Sequence, residues 1–290
     1  MYPDLSYIIE DSVGIKLAFL STIKTFGFLL SLAFTLTFST FYYAVKKREK
    51  IVTFKKDAPL YLSFYDLLEV VLVTIFSSFI GGYLFSYIET KTFESLSFNY
   101  LGGLSGGLIA SFCYCYKYRI DLIGLLDCIS YPLLWGYSVG RLGCHLSGDG
   151  DWGINNLNPK PYYWIFPDWT WAYSYPHNIL NLGIPIKGCL GSYCNQLEFE
   201  VFPTSFYESV ISMLGGTFIF FIKGYLWDKK GMLFCLYLLF IGIERFLIEF
   251  IRINPKYGYL YNLSQAQIIS ILIVCISLFF IAKLMKQDKK

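Results

Sequence analysis

Seven long apolar stretches constrain this chain more than any other feature. Only 16% of its 290 residues are charged and 55% are hydrophobic, whereas a soluble domain carries about 25% charged residues. Each stretch is long enough to cross roughly 30 Å of hydrocarbon as a helix. The sequence therefore predicts an all-α membrane protein with seven transmembrane helices and excludes a globular enzyme with a large soluble core. The predicted spans cover about residues 14–45, 64–88, 100–116, 120–146, 204–223, 231–251 and 264–284.

Basic residues predict the orientation of these spans. Lys and Arg accumulate after the first, third, fifth and last stretches, which fall on one side of a seven-span bundle. By the positive-inside rule that side is cytoplasmic. We therefore expect a multi-pass protein of the bacterial inner (plasma) membrane, with its N-terminus outside and its C-terminus in the cytoplasm. The acidic start, with Asp4, Glu10 and Asp11, lacks the basic region of a cleavable signal peptide.

One polytopic domain over residues 1–290 is expected, with a long extracytoplasmic loop at about 148–203, between spans four and five. This outer loop is rich in Pro, Trp, Tyr and Asn, a composition that favours a cap at the level of the lipid headgroups. Cys189 and Cys194 lie in it with four residues between them, and whether they form a disulfide is open. A metal site is not expected, because His145 and His177 are the only histidines and have no ligand spacing to a cysteine pair.

A glycine-rich block at residues 140–153 closes the fourth span. It combines Arg141, His145, Cys144 and two carboxylates with five glycines. Ionisable residues at membrane depth are costly and usually functional. The glycines allow backbone N–H groups to approach a ligand, and the planar arginine fork suits phosphate. The block predicts a site for an anionic ligand at the membrane surface.

Two further polar groups interrupt the apolar spans. Residues 202–208 start the fifth span and end on Tyr207-Glu208, where Glu208 could simply cap the helix. Residues 244–252 end the sixth span. There Arg245 and Glu249 are four residues apart, and Arg252 follows one turn later on the same face. In the predicted topology all three groups lie toward the outer half of the membrane, where they can converge.

These segments resemble the prolipoprotein diacylglyceryl transferase family, in the same order along most of the chain. The resemblance implies that phosphatidylglycerol donates its diacylglyceryl group to the lipobox cysteine of a prolipoprotein. A thioether forms and glycerol phosphate leaves. Phosphatidylglycerol, prolipoprotein lipobox peptides and the membrane are the implied partners; no cofactor and no nucleic acid is involved. The matching positions are Gly106–Ile109, Gly140, Arg141, Gly143, Gly148, Asp149, Trp152, Gly153, Pro203–Glu208, Arg245, Phe246, Glu249, Phe250, Arg252 and Gln267.

The resemblance also suggests roles for single residues. Arg141 and Arg245 would bind the phosphate by charge-assisted bonds, and Glu249, like Asp149 and Glu208, would orient the arginines. Arg141, Arg245, His145 and Glu249 form the predicted catalytic set. The predicted substrate-binding set is Gly143, Cys144, Gly148, Asp149, Gly153, Ser105, Tyr207, Glu208 and Gln267.

The chain departs from the family pattern at several polar positions. Ser105 stands where the family has a histidine before its paired glycines, and Cys144-His145 stands where it has an asparagine. Phe202 and Phe26 replace a histidine and a tyrosine. Either His145 serves as the base that activates the thiol, or the reaction differs here.

Structural readings of the same residues remain open. Arg141 could be an interfacial arginine with its head in water, and Arg245 with Glu249 a purely structural ion pair. His145 and Cys144 could simply be packed side chains. A divergent, non-catalytic member of the fold that binds phospholipid or lipoprotein is the alternative function. A channel or transporter is disfavoured by the lack of an inverted repeat.

Overall fold

The computed structural model of the chain is mostly helical. It describes residues 1–15, 17–48, 62–91, 99–189, 191–254, 256–257 and 263–287. Two short 3₁₀ helices, Ala18–Thr22 and Asp168–Thr170, accompany the α-helices. The α-helices of the described residues are α1 (Leu5–Val13), α2 (Thr25–Lys47), α3 (Phe64–Thr90), α4 (Tyr100–Tyr118), α5 (Leu122–Ser147), α6 (Thr204–Leu226), α7 (Met232–Ile248) and α8 (Gln265–Gln287).

The long helices confirm the helical character of the predicted spans. Five of them (α2, α3, α5, α6 and α8) are long and apolar enough to cross a membrane; α7 is 17 residues long. The seven-span count stays a prediction. The first span is corrected, because the helix begins only at Thr25 and a separate 3₁₀ helix precedes it. Gly14 ends α1 with a left-handed φ of 73°, and the Ala18–Thr22 turn separates the two helices.

Contacts divide the chain into two compact units, and the single-domain expectation stays a prediction. The smaller unit, Ser39–Ile129, contains α3 and α4. A Cβ on Gly106 would lie 2.5 Å from the Ser77 carbonyl oxygen, and the hydroxyls of Thr74 and Ser111 lie 2.8 Å apart. The glycines at the start of α4 therefore permit close contact with α3, as small residues do between membrane helices.

The larger unit, Met1–Phe38 with Ser130–Lys290, contains the outer loop. Trp152, Tyr175 and Val201 form a buried core in this loop. A hairpin of β1 (Ile184–Pro185) and β2 (Asn195–Gln196) extends from it. A second short pair, β3 (Lys256–Tyr257) and β4 (Leu263–Ser264), precedes α8.

The outer loop is also tied by two local links. Cys189 and Cys194 form a disulfide, which settles a point that the sequence left open. His177 Nδ1 lies 2.7 Å from the Tyr193 carbonyl oxygen, and the His177 amide donates to Asn195. The disulfide closes the connection between β1 and β2, and the His177 contacts hold the hairpin against the preceding part of the loop.

Candidate active site

The polar groups of three helix ends meet in the larger unit. Helix α5 ends at Ser147, α6 begins at Thr204 and α7 ends at Ile248. Arg141, Glu208 and Arg245 lie within the two turns nearest these helix ends. The predicted convergence of the three polar groups is therefore present in the structure.

Glu208 is the centre of this arrangement. Its side chain is completely buried and contacts three guanidinium groups. Arg141 Nε lies 2.7 Å from Oε2, while Arg252 Nη1 and Arg245 Nη1 lie 3.1 and 3.4 Å from Oε1. Helix α6 has Pro203 as its cap residue and no side-chain cap hydrogen bond, so the Glu208 carboxylate bonds the arginines and does not cap the helix.

Two more carboxylates complete the arginine cluster. Asp151 bonds Arg141 through one oxygen and Arg252 through the other, the latter at 2.9 Å. Glu249 Oε2 lies 3.3 Å from Arg245 Nη2, and Oε1 accepts from Ser264 at 2.8 Å. The arginine cluster thus consists of three cations and three anions, namely Arg141, Arg245, Arg252, Asp151, Glu208 and Glu249.

The charges of the cluster keep Asp151 ionised. Burial alone would raise the pKa of this carboxyl, but Arg141 and Arg252 outweigh burial and lower it. The stabilisation from these ion pairs is therefore present at neutral pH and is lost as the pH falls through the lowered pKa.

Arg245 is the arginine with the most room for a ligand. Its side chain is 29% exposed, against 14% for Arg141 and 12% for Arg252. Its carboxylate contacts, at 3.3 and 3.4 Å, are longer than those of the other two arginines. A guanidinium group has five N–H donors, so an incoming phosphate can bond Arg245 with little loss of its existing contacts.

An extended junction around Gly153 fixes the cluster. The Gly153 amide donates to the Phe202 carbonyl, and the Ile154 amide donates to Ile251, both at 2.8 Å. A Cβ on Gly153 would lie 2.5 Å from the Ile251 carbonyl oxygen. The absence of a side chain therefore lets the segment that carries Asp151 approach the segment that carries Arg252.

Gly153→Ala is expected to destabilise this junction by about 1–3 kcal/mol, because the added methyl group has no space. Thermal unfolding of the purified protein measures the loss. Gly140→Ala is the matched control, since a Cβ there meets no atom within 4 Å and α5 is helical at that point. Equal stability of the two variants would contradict the packing role of Gly153.

The structure corrects three of the roles predicted for the glycine-rich block. Among the described residues of this block, Asp151 pairs with the arginines and Asp149 does not. The Oδ1 of Asp149 instead accepts from the Asp151 amide at 3.3 Å. Gly143 lies inside α5, and a Cβ there would be 3.2 Å from Leu29 Cβ. Gly148 has φ +64° and packs on Asn178. Gly143 and Gly148 thus serve packing and chain reversal, and do not offer free backbone to a ligand.

His145 lies in an aromatic box beside the cluster. Its Nδ1 is 3.1 Å from the Tyr175 hydroxyl, and Trp169, Tyr173 and Phe206 surround the ring at centroid distances of 5.4–6.0 Å. Burial raises the pKa of Tyr175, so its hydroxyl keeps its proton and can donate to Nδ1. The base role of His145 stays a prediction, with one ring nitrogen already engaged.

Cys144 is closer to the arginines. Its Sγ lies 3.9 Å from Arg141 Nη1, and the ligand atoms of Cys144, Asp149 and Asp151 lie within 4.8 Å of one another. Because Asp151 already bonds two arginines, this group is poorly suited to hold a cation.

The remaining predicted residues occupy supporting positions. Tyr207 donates to the Thr170 carbonyl at 2.6 Å and so anchors the outer loop to α6. Gln267 forms a capping box with Ser264 at the start of α8, which connects it to Glu249 through Ser264. Ser105 belongs to the smaller unit, where its hydroxyl donates to the Gly102 carbonyl at 3.0 Å.

Two members of the cluster were absent from the predicted site. The family pattern includes Asp149 and not Asp151. The helical spacing puts Arg252 on the face of Arg245 and Glu249 without indicating a role for it. The signal that could have found both is charge balance, since a buried arginine requires a compensating carboxylate nearby.

The fold and the cluster together define a class of protein: a multi-pass membrane protein with a charge-balanced arginine site at one end of its helices. A sequence model of the prolipoprotein diacylglyceryl transferase family matches residues 13–283. The chain belongs to this family.

Curated relatives carry the name phosphatidylglycerol–prolipoprotein diacylglyceryl transferase. The protein of Leptospira interrogans (serovar copenhageni) is 27% identical over 213 residues, covering 63% of this chain and 58% of the relative. That of Buchnera aphidicola (subsp. Schizaphis graminum) is 27% identical over 260 residues, covering 83% of this chain and 88% of the relative. That of Helicobacter pylori (strain Shi470) is 32% identical over 199 residues, covering 66% of this chain and 59% of the relative. The chain thus spans less than two thirds of the Leptospira and Helicobacter proteins.

Proposed function

We propose that this protein transfers the diacylglyceryl group of phosphatidylglycerol to the lipobox cysteine of prolipoproteins. The names of its relatives describe a diacylglyceryl transfer between these two substrates. The observation that carries the proposal is the convergence of Arg141, Arg245 and Arg252 on the buried Glu208. Buried guanidinium groups held by carboxylates are pre-positioned donors for a phosphodiester. Lipoprotein maturation is the process that this reaction serves.

The arginines act on the phosphate in the proposed mechanism. The sulfur of the lipobox cysteine attacks the glycerol carbon of the lipid, a C–S bond forms, and the bond between that carbon and the phosphate oxygen breaks. Glycerol phosphate leaves with the electron pair, so negative charge develops on its phosphate as the bond breaks. Arg245 bonds the charged phosphate oxygens directly, because it is the most exposed of the three arginines. Arg141 and Arg252 supply the surrounding positive charge.

The carboxylates position these arginines. Glu208, Asp151 and Glu249 each bond at least one guanidinium group, which fixes the fork geometry before the lipid arrives. The proposed reaction uses no metal and no organic cofactor, since glycerol phosphate is itself the leaving group.

Purified protein mixed with phosphatidylglycerol and a lipobox peptide is expected to yield a peptide heavier by one diacylglyceryl group. Mass spectrometry of the peptide measures the adduct. A peptide with serine in place of the lipobox cysteine is the matched control and should remain unmodified. Absence of adduct under conditions in which an established transferase forms it would reject the transferase in favour of a phospholipid- or lipoprotein-binding member of the fold.

We also propose that the protein forms a single polytopic domain of the bacterial inner membrane with seven spans. The four groups of basic residues support an outside N-terminus and a cytoplasmic C-terminus. The arginine cluster then faces the outer leaflet, on the side where a translocated lipobox cysteine arrives. Proteolysis of intact spheroplasts tests this topology, because cleavage is expected within residues 148–203 and not within residues 224–230, between the fifth and sixth spans.

A further inference from the structure

Glu244 is a buried carboxyl group without a hydrogen-bond partner. It lies in α7, is only 4% exposed, and neither of its oxygens bonds any group that the structure describes. A buried polar group in this state is costly and is usually satisfied by water or a ligand. The mechanism proposed above leaves this group unused.

The surroundings of Glu244 place it at the arginine cluster. It directly precedes Arg245, and it interacts electrostatically with Glu208 and all three arginines. Phe240, four residues earlier, packs against Gly215 of α6, so the same face of α7 turns toward α6. Glu244 therefore points toward the helix that carries Glu208.

Its depth matches the bond that breaks. Glu244 lies four residues inside the end of α7, which is roughly 6 Å along the helix axis. In phosphatidylglycerol the reacting carbon lies on the acyl-chain side of the phosphate. When Arg245 binds the phosphate near the helix end, the reacting carbon and the oxygen bonded to it therefore lie deeper in the protein, closer to Glu244.

Charge balance favours the acid form of this carboxyl group. The three arginines of the cluster are already matched by Asp151, Glu208 and Glu249. No positive charge in the cluster remains to compensate a fourth carboxylate, and an uncompensated buried charge is costly. A neutral carboxylic acid has one oxygen that donates a proton and one that accepts a proton.

We propose that Glu244 carries the proton of the reaction from the acceptor thiol to the leaving phosphate. One oxygen gives its proton to the phosphate oxygen as the carbon–oxygen bond breaks, and the other takes the proton of the thiol as the carbon–sulfur bond forms. The carboxyl group is neutral before and after, and glycerol phosphate leaves as a monoanion. This inference rests on the proposed transferase function, and it supplies the proton acceptor that Ser105 and Phe202 do not.

Glu244→Gln tests the proposal. The amide has the shape of the neutral acid, so the variant is expected to fold with an unchanged melting temperature, but it cannot relay a proton. We expect kcat for adduct formation to fall by roughly 10²–10⁴-fold with an unchanged KM for phosphatidylglycerol. Glu244→Asp should recover part of the rate, and Glu198→Gln, at an exposed carboxylate of the outer loop, is the control.

Two further readouts separate proton transfer from a structural role. The dependence of kcat on pH and the solvent isotope effect should both weaken in Glu244→Gln. The infrared band of a protonated carboxylic acid in the wild-type protein should disappear in the variant, and this band is measurable even where the variant is inactive.

The outcomes distinguish this proposal from the function on which it rests. Full activity of Glu244→Gln, a loss confined to KM, or absence of the infrared band overturns the role of Glu244 and leaves the transferase function in place. A wild-type protein that forms no adduct overturns both.

Discussion

Glu208→Gln is expected to destabilise the protein by about 3–5 kcal/mol and to abolish diacylglyceryl transfer. The wild-type carboxylate is fully buried and contacts three guanidinium groups. In the variant three cations face only two anions, and the amide N–H₂ opposes N–H donors of the arginines. Breaking a buried ion pair on one side leaves an uncompensated charge, which is the main cost.

Denaturant unfolding in detergent and the adduct assay measure the two effects. Glu249→Gln is the informative comparison, because Glu249 contacts Arg245 alone among the three arginines and should cost less. Stability of Glu208→Gln within 1 kcal/mol of the wild type would contradict the central position of Glu208, since about 1 kcal/mol is what an exposed ion pair contributes at most.

Arg245→Gln is expected to lower kcat for transfer by roughly 10²–10³-fold, the range seen when one donor to a developing negative charge is removed. Arg245→Lys should recover only part of the rate, because an ammonium group keeps the charge but lacks the planar fork that binds phosphate through two bonds. Initial rates over a range of phosphatidylglycerol concentrations measure both variants.

A purely structural Arg245–Glu249 pair makes a different prediction. In that case the melting temperature falls, while the rate per folded molecule stays that of the wild type. Lys187→Gln, which removes an exposed charge from the outer loop, controls for the loss of one positive charge. A normal rate in folded Arg245→Gln protein would assign the phosphate to Arg141 and Arg252 instead.

The sequence predicts the helices and the charged residues of the site well. Helix α6 was expected at residues 204–223 and runs from Thr204 to Leu226, because an apolar run with a clear start leaves little choice in a membrane. Arg141, Glu208 and Arg245 were expected to converge, since charged groups at the ends of neighbouring spans must find partners. These features depend on composition and local pattern, which the sequence contains directly.

The choice between neighbouring residues depends on tertiary contacts and could not be predicted. Asp149 and Asp151 are chemically equal, and only the junction of Gly153 with residues 202 and 251 directs Asp151 toward the arginines. Gly143 looked available to a ligand, but α5 continues to Ser147, so the glycine faces Leu29. The sequence shows the Glu244 carboxyl group, but only the packing shows that its oxygens bond none of the groups in the described part of the chain.

The cluster also constrains the order in which the chain can mature. Asp151 and Arg252 are separated by 101 residues. Two of the arginines that contact Glu208, Arg245 and Arg252, are synthesised after it. Until the ribosome has released the segment beyond α7, the early part of the site contains more buried acid than base. A chain that ends before α7 therefore contains one carboxylate of the cluster without a matching arginine, and an uncompensated buried charge is costly. Completion of the last helices is the step that makes the site both neutral and competent.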